Sequence, residues 1–502
     1  MTDTVDITPS IRRSAATSIA VASSVPSDAT AVGLLISLEG ELPGVLGVDR
    51  VTLAALGFAG KVGQAYALPA ASGTVRVVVG VGDSAKLDAS VLRDAAAAFA
   101  RAAGQHSRLA LLVPTIPSLG ADVVGQVVVE GVILARYRFD ALRADKGTSL
   151  DAFTLVVGAD RAADARTGIA RGRLFADAQS LARDLASAPA VYLTAPRMAD
   201  VATQVAAASG LEVEVFDRAA LKELGCGGLL GVNAGSAEEP RMIRLTYRPS
   251  AAESGSHLGL VGKGIMYDSG GVSIKPSNAS HSQMKNDMSG AGAILAAMST
   301  LAALDCPNTV TGWLMCTDNM LQGSAMKLGD VLTMRGGMTV EVINTDAEGR
   351  LVMADGLVLA AELGVDAIVD IATLTGACLA ALGPKLAGVF GNDQALVDQV
   401  SAAGRVTDEL VWQLPLDRRY RPILDSQIAD IKNWEEGFPG ATTAALFLEE
   451  FVAGKPWVHI DIAGTAQNAA AESWRPAGVT GFGARLLIEF ALDFSPTVSV
   501  AG

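Results

Sequence analysis

At 502 residues the chain exceeds what one core usually holds, so two domains are expected. Half of the residues are hydrophobic and 18% are charged, which supports extensive burial, including at subunit interfaces, and a net charge of −14 disfavours non-specific nucleic-acid binding by the chain as a whole. No uninterrupted apolar run reaches transmembrane length, the opening MTDTVDITPS is acidic and polar rather than signal-like, and four cysteines without C-x-x-C spacing fit a reducing, cytoplasmic setting.

Taken in chain order, residues 1–30 are rich in Ser, Thr and Ala and are expected to be partly mobile at the start. From about residue 32 to 165, strands such as 74–81 (TVRVVVGV) and 109–113 alternate with Ala-rich helices such as 87–103, the pattern of a small α/β domain. Residues 167–188 then predict an amphipathic helix with Leu174, Ala178, Leu181 and Leu185 on one stripe, ended before Pro189. Apolar strands follow at 258–261, 309–315, 367–371 and 457–462. The expected organisation is an α/β protein: an N-terminal α/β domain over 1–165, a connecting helix over 166–189, and a larger α/β domain with a mixed central sheet over 190–502.

The most informative stretch is Asn344-Thr345-Asp346-Ala347-Glu348-Gly349-Arg350-Leu351. The preceding GMTVEV predicts a strand and the following LVMADGLVLAAEL a helix, which puts Asp346 and Glu348 where ligands collect in α/β proteins. On extended backbone, residues two apart project to one side, so both carboxylates can converge. Adjacent carboxylates repel unless something positive lies between them, either Arg350 or a metal cation. A lone D-x-E is more often just a helix N-terminus decorated with favourable acids. Upstream, however, VGKGIMYDSGGVSIKPSNASHSQMKNDM adds Lys263, Asp268, Lys275 and Asp287. The glycines Gly262, Gly264, Gly270 and Gly271 threaded among these charges point to backbone in unusual φ/ψ around a ligand.

Other catalytic classes lack their motifs. There is no H-E-x-x-H and no G-x-S-x-G, and the four histidines are scattered. His459 is expected to be structural and His281 a solvated loop residue, while the cysteines read as small buried apolar groups.

NTDAEGRL, GKGxxxDSGGxSIKP and the MKxDM that follows resemble the leucyl (cytosol) aminopeptidases, a family of dinuclear zinc or manganese exopeptidases. DIATLTGA (370–377), HIDIAGTA (459–466) and TGFGARLL (480–487) extend the resemblance, which covers about 180–500 well and the earlier part less. It implies that Asp268 and Glu348 bridge two divalent metal ions, that Asp346 completes one site, and that Asp287 and a deprotonated Lys263 complete the other. It also implies that Lys275 stabilises the developing oxyanion and that Arg350 holds a bicarbonate serving as general base. Met284, Thr373, Gly376, Ala463 and Ala466 would line the pocket for the first side chain, and the Leu374 carbonyl would accept from the substrate amine. The implied activity is release of N-terminal leucine and other apolar residues from peptides by a homohexamer.

The segment between Lys275 and Asp287 is one residue longer than usual for the family, so Asn286 stands at the usual ligand spacing; Asp287 is chosen because an anion balances the site's charge. Tyr267 replaces a common Phe and Asp318 a frequent Glu, and LARDLASAPAVYLTAP lacks the usual asparagines. The metal could be zinc, manganese or magnesium, since oxygen ligands with one amine suit all three. Alternatives are a non-catalytic paralogue, a DNA-binding second role through arginines at 136, 138, 143, 161, 166, 171 and 173, and a narrow dipeptidase acting on substrates such as cysteinylglycine.

Overall fold

The computed structural model describes residues 5–68, 73–250, 255–437 and 439–496. They divide into two compact units, one built from 8–180 with 468–478, the other from 5–7, 181–467 and 479–496.

In the first unit a six-stranded sheet runs in the order Ser18–Ala22, Ala152–Val156, Arg108–Leu112, Ala31–Ser37, Val75–Gly82, Ala65–Leu68. All neighbours are parallel except the last pair. The valine run of Val75–Gly82 is buried from Val77 onward, as a strand covered on both faces requires. The helix expected at 87–103 spans Ala89–Ala102, because the Asp88 side chain accepts from Val91 N at 2.9 Å and caps it. It packs closely on helix Ala121–Arg136: a Cβ on Gly131 would lie 2.3 Å from the Arg93 carbonyl oxygen. The expected mobility at the start falls partly on residues 1–4, outside the described residues; Pro9–Ala16 is a helix and Ser18–Ala22 an edge strand of the sheet. Residues 468–478 return to this unit from far along the chain and bury Trp474 with Ala97, Leu134 and Ala176.

The connecting helix spans Ala162–Ser187, starting five residues before the expected 167 and ending ahead of Pro189 as expected. The second unit carries the mixed sheet, eight strands in the order Val411–Gln413, Ala387–Gly391, Trp457–Asp461, Ala367–Ala372, His257–Asp268, Thr309–Asn319, Arg241–Tyr247, Glu212–Phe216. The four in the middle, from Trp457–Asp461 to Thr309–Asn319, are mutually parallel, with antiparallel pairs flanking them.

Two helices cover opposite faces of strand His257–Asp268. Gly262 abuts Ala291 of helix Ser289–Met298, while its neighbour Val261 abuts Gly356 of helix Gly349–Leu363. Because side chains alternate along a strand, Lys263 shares the Val261 face and points toward the N-terminal end of Gly349–Leu363. Simple alternation would send Asp268 the other way. Between the Thr317–Ile265 and Asn319–Asp268 pairs, however, this strand carries one extra residue, and the bulge reverses the alternation. Lys263 and Asp268 therefore reach the same site at the carboxyl ends of the parallel strands.

Candidate active site

The turn after Asp268 is built on glycine. Gly270 and Gly271 have φ of +86° and +62°, and Gly270 N donates to Asp268 Oδ1 at 2.9 Å. Asn319 Nδ2, on the adjacent strand, donates to the same oxygen at 2.8 Å. Gly262 and Gly264 do not share this role, which corrects the expectation of unusual backbone at all four glycines. They lie within the strand, where a Cβ would collide with Ala291 at 2.8 Å and with the Met315 carbonyl oxygen at 2.7 Å.

Asp346 and Glu348 converge, but not through an extended backbone. The expected strand at 337–342 is only Thr339–Glu341, paired with Val331–Thr333 and Ile431–Lys432 in a small separate sheet. The chain turns at Thr345–Asp346, and Glu348 is the helical N-cap of Gly349–Leu363. Thr345 knits the two motif loops together: its Oγ1 donates to Gly270 O at 2.7 Å and accepts from Ser273 N at 2.7 Å. Oxygen atoms of Asp268, Asp346 and Glu348 lie within 4.8 Å of one another.

Lysines interleave with these acids. Lys263 Nζ is 2.7 Å from Asp287 Oδ2 and 2.8 Å from Glu348 Oε1, and donates to the Thr373 carbonyl oxygen at 3.1 Å. Lys275 Nζ is 2.7 Å from Asp268 Oδ2 and 2.5 Å from Asp346 Oδ1. Of the two residues competing for the upstream acid position, Asp287 faces Lys263 and also accepts from Thr373 Oγ1 at 2.6 Å. Asn286 is buried, and its backbone carbonyl accepts from Ser289 Oγ at 2.5 Å.

Four buried or half-buried acids outnumber two lysines. Burial, followed by the charge of Asp268, pushes the Glu348 carboxyl up to about 8; burial foremost pushes Asp287 up to about 6. Asp346 is raised by burial and then by Asp268. For Lys263, burial opposes the charged form, but Asp287, Glu348 and Asp268 outweigh it and raise its pKa. Glu348 is 1% exposed, yet its Oε2 has no hydrogen-bond partner. A buried carboxylate oxygen without a donor, in a cluster short of positive charge, fits a cation held by hard oxygen donors and one amine.

Arg350 does not bridge Asp346 and Glu348, which corrects one of the two options left by the sequence. Among the described residues, its side chain donates only to the Asn433 carbonyl, at 2.8 Å, and its buried Nε has no acceptor. Burial lowers its pKa to about 10. The side chain of Asn433, fully buried, braces the loop that carries Asp346 and Glu348: Oδ1 accepts from Ile343 N at 2.9 Å and Asn344 N at 3.3 Å, and Nδ2 donates to Asn344 O at 2.7 Å and Ala347 O at 3.2 Å.

Two residues expected on the substrate side, Leu374 and Ala463, are tied to Asp461, which the sequence did not single out. Its Oδ1 accepts from Leu374 N at 3.3 Å and Ala463 N at 3.0 Å, and its Oδ2 from Thr375 Oγ1 at 2.7 Å. Gly376 opens helix Gly376–Leu382 and faces open space. Met284 is half-buried in the short helix His281–Asn286, just ahead of Asp287. Ala466 is only 1% exposed and offers little surface to a ligand. His459 is buried with Nδ1 2.5 Å from Asp370 Oδ1, a bonded core histidine. His281 is half-buried rather than fully solvated, its ring 5.9 Å from that of Tyr267. All four cysteines are buried and free.

Known proteins resemble this chain in sequence and fold. The profile of the cytosol aminopeptidase family's catalytic domain matches residues 180–488, and that of its N-terminal domain matches 50–146. A probable cytosol aminopeptidase of Streptomyces avermitilis is 42% identical, over 94% of this chain and 97% of its own. Another from Solibacter usitatus is 42% identical, over 85% of this chain and 88% of its own. Among solved structures, the bottromycin maturation enzyme BotP in complex with Mn superposes with a TM-score of 0.84 at 38% identity, over 93% of this chain and 99% of that one. With both domain profiles matched and relatives this similar along nearly their whole length, the chain belongs to the cytosol aminopeptidase family.

Proposed function

We propose that this aminopeptidase releases N-terminal leucine and other apolar residues from peptides, using two divalent metal ions held by Asp268, Glu348, Asp346, Asp287 and Lys263. The observation that carries the metal assignment is the orphaned Oε2 of buried Glu348 within a cluster whose acids outnumber its lysines. Mn in the complex of the similar BotP supports manganese, with zinc the alternative. Bound there, the metals would supply Lewis acidity and a water acidified to a pKa of about 7, and a bicarbonate beside Arg350 a general base.

The chain's own residues supply the rest. Lys263 acts as a ligand only after losing its proton, since only the neutral amine has a lone pair. Lys275, one-fifth exposed at the mouth of the cluster, keeps its charge and meets the negative charge that develops on the carbonyl oxygen of the first peptide bond. Arg350 suits the anion because its buried Nε lacks an acceptor and the N-terminus of helix Gly349–Leu363 lies beside it. The Leu374 carbonyl accepts from the free α-amine, which favours exopeptidase action. Met284, Thr373, Gly376, Ala463 and Ala466 form the first side-chain pocket, with the open space at Gly376 giving it room. We assign the chemistry to the domain following the connecting helix, and expect a cytoplasmic homohexamer. A non-catalytic role gains no support, since every expected ligand position and Lys275 is occupied by the required residue type.

The similarity to a maturation enzyme favours one narrower alternative, action on a single dedicated substrate. A panel of aminoacyl p-nitroanilides and short peptides tests both. Leucine and methionine derivatives turned over at least tenfold faster than charged ones, with N-acetylated peptides untouched, is the expected result. Failure on the entire panel by protein with two bound metals would favour the dedicated substrate.

A further inference from the structure

The sequence leaves a group of arginines before residue 175 without a role, and three of them meet in one place. Arg136, Arg138 and Arg173 line a cavity of about 340 Å³ within the first unit, beside helix Pro9–Ala16 and the segment that follows helix Ala121–Arg136. Its volume is at the lower end of the ~300–1,000 Å³ typical of small-molecule sites.

Six cationic side chains face three carboxylates around this cavity, in a chain whose overall charge is strongly negative. Arg13 pairs with Asp140, and Arg173 stands 3.6 Å from Asp177. Arg136, Arg138 and Lys146 instead hold main-chain carbonyls. Arg136 donates to Ala103 O at 3.0 Å and Thr148 O at 3.1 Å, Arg138 to that same Thr148 O at 3.1 Å, and Lys146 to Asp140 O at 2.5 Å. Carbonyls satisfy hydrogen bonds but neutralise no charge. Two guanidiniums thus share one neutral oxygen, and Arg138 Nε is buried with no acceptor. The third carboxylate, Asp151, is solvent-exposed and takes a hydrogen bond from Ser149 Oγ at 2.5 Å. Its attraction does not offset the effect of burial and of the Arg138 charge, and the Arg136 pKa is lowered. An anion entering between Arg136 and Arg138 would relieve the repulsion and give Arg138 Nε its acceptor.

We propose that this cavity binds a small anionic metabolite bearing a phosphate or paired carboxylates. The lining also includes hydroxyls such as Ser10 and Thr17 and apolar Ile19 and Ile133, so a compact anion with a small organic body fits.

The test uses the full-length protein at fixed ionic strength, titrated calorimetrically with inorganic phosphate, citrate and a nucleoside monophosphate. Saturable binding of at least one probe in the millimolar range or tighter is expected. It should weaken at least tenfold in Arg138→Met and persist in Arg350→Met, which separates this cavity from the anion site proposed beside the metals. Comparison of phosphate with citrate and the nucleotide tells which acidic group is recognised. Hydrolysis of leucine p-nitroanilide by Arg138→Met at the wild-type rate checks its fold. Lys146→Ala, at an exposed position, is the second variant, and a severalfold loss of affinity is expected there. The proposal is overturned if no probe saturates, or if binding is unchanged in both Arg138→Met and Lys146→Ala.

Discussion

Lys263 Nζ lies 2.8 Å from Glu348 Oε1, with the two side chains 4% and 1% exposed. A lysine on a central strand and the N-cap of a helix 85 positions later in the chain thus form the floor of the site. Ion pairs at this depth are not strongly stabilising in themselves, but removing one partner leaves uncompensated buried charge. Lys263→Met is expected to destabilise the metal-stripped protein by about 3–5 kcal/mol at pH 8. Urea unfolding curves measure this, and an unchanged midpoint would contradict the pairing.

Gly349→Ala tests the space that Lys263 occupies. A Cβ there would lie 2.5 Å from Lys263 Cε and 2.7 Å from Nζ, while the helical backbone accepts alanine readily. The protein should fold with its thermal midpoint within a few degrees of wild type. Its affinity for Mn²⁺ should fall at least tenfold because the lysine is displaced. Wild-type affinity in a calorimetric titration would show that Lys263 is not needed at the metal.

Asn433→Ala removes four side-chain hydrogen bonds to the backbone that carries Asp346 and Glu348. A stability loss of about 2–4 kcal/mol is expected from the buried groups left unpaired. Metal affinity should fall by about 10–100-fold, as for residues that orient ligands without being ligands. Stability lost with metal affinity intact would make Asn433 a purely structural brace.

Much of this site is legible in the sequence because it is local. NTDAEGRL and the run from Lys263 to Asp287 carry every charged group of the cluster within two short stretches. What joins them is not local. Asp268 reaches the Lys263 face only because of a bulge opposite Asn319, and a bulge leaves no mark on hydrophobic alternation. Asp346 and Glu348 converge through a turn, where the alternating GMTVEV run favoured a longer strand. Asn433 and Asp461 act from 80 or more residues away on backbone N–H and C=O groups, which every residue has and no motif records. The return of Trp474 to the first unit is hidden for the same reason: burial of one side chain does not say against which part of the chain. Helix and strand periodicities located most elements to within a few residues, and helix starts moved where a cap such as Asp88 set them.

Asp318 offers a pH test away from the carboxylate cluster. Burial pushes its carboxyl up to about 6, against an opposing hydrogen bond from Ser236, with Glu238 adding to the rise. The folded state therefore holds this proton more tightly than the unfolded chain does. The contribution is unfavourable above about pH 6 and fades as pH falls toward the ordinary carboxylate range near 4. Asp318→Asn should raise stability by about 1–2 kcal/mol at pH 8 and leave it nearly unchanged at pH 4. Equal effects at both pH values would mean that the carboxyl titrates normally.

The most direct measurement is hydrolysis of leucine p-nitroanilide by metal-stripped protein, with and without added Mn²⁺ or Zn²⁺, beside Asp346→Ala. Activity that returns with metal in the wild type, and is reduced by at least two orders of magnitude in the variant, is the expected result. Metal-independent hydrolysis, or equal rates in wild type and Asp346→Ala, would contradict a two-metal centre built on these carboxylates.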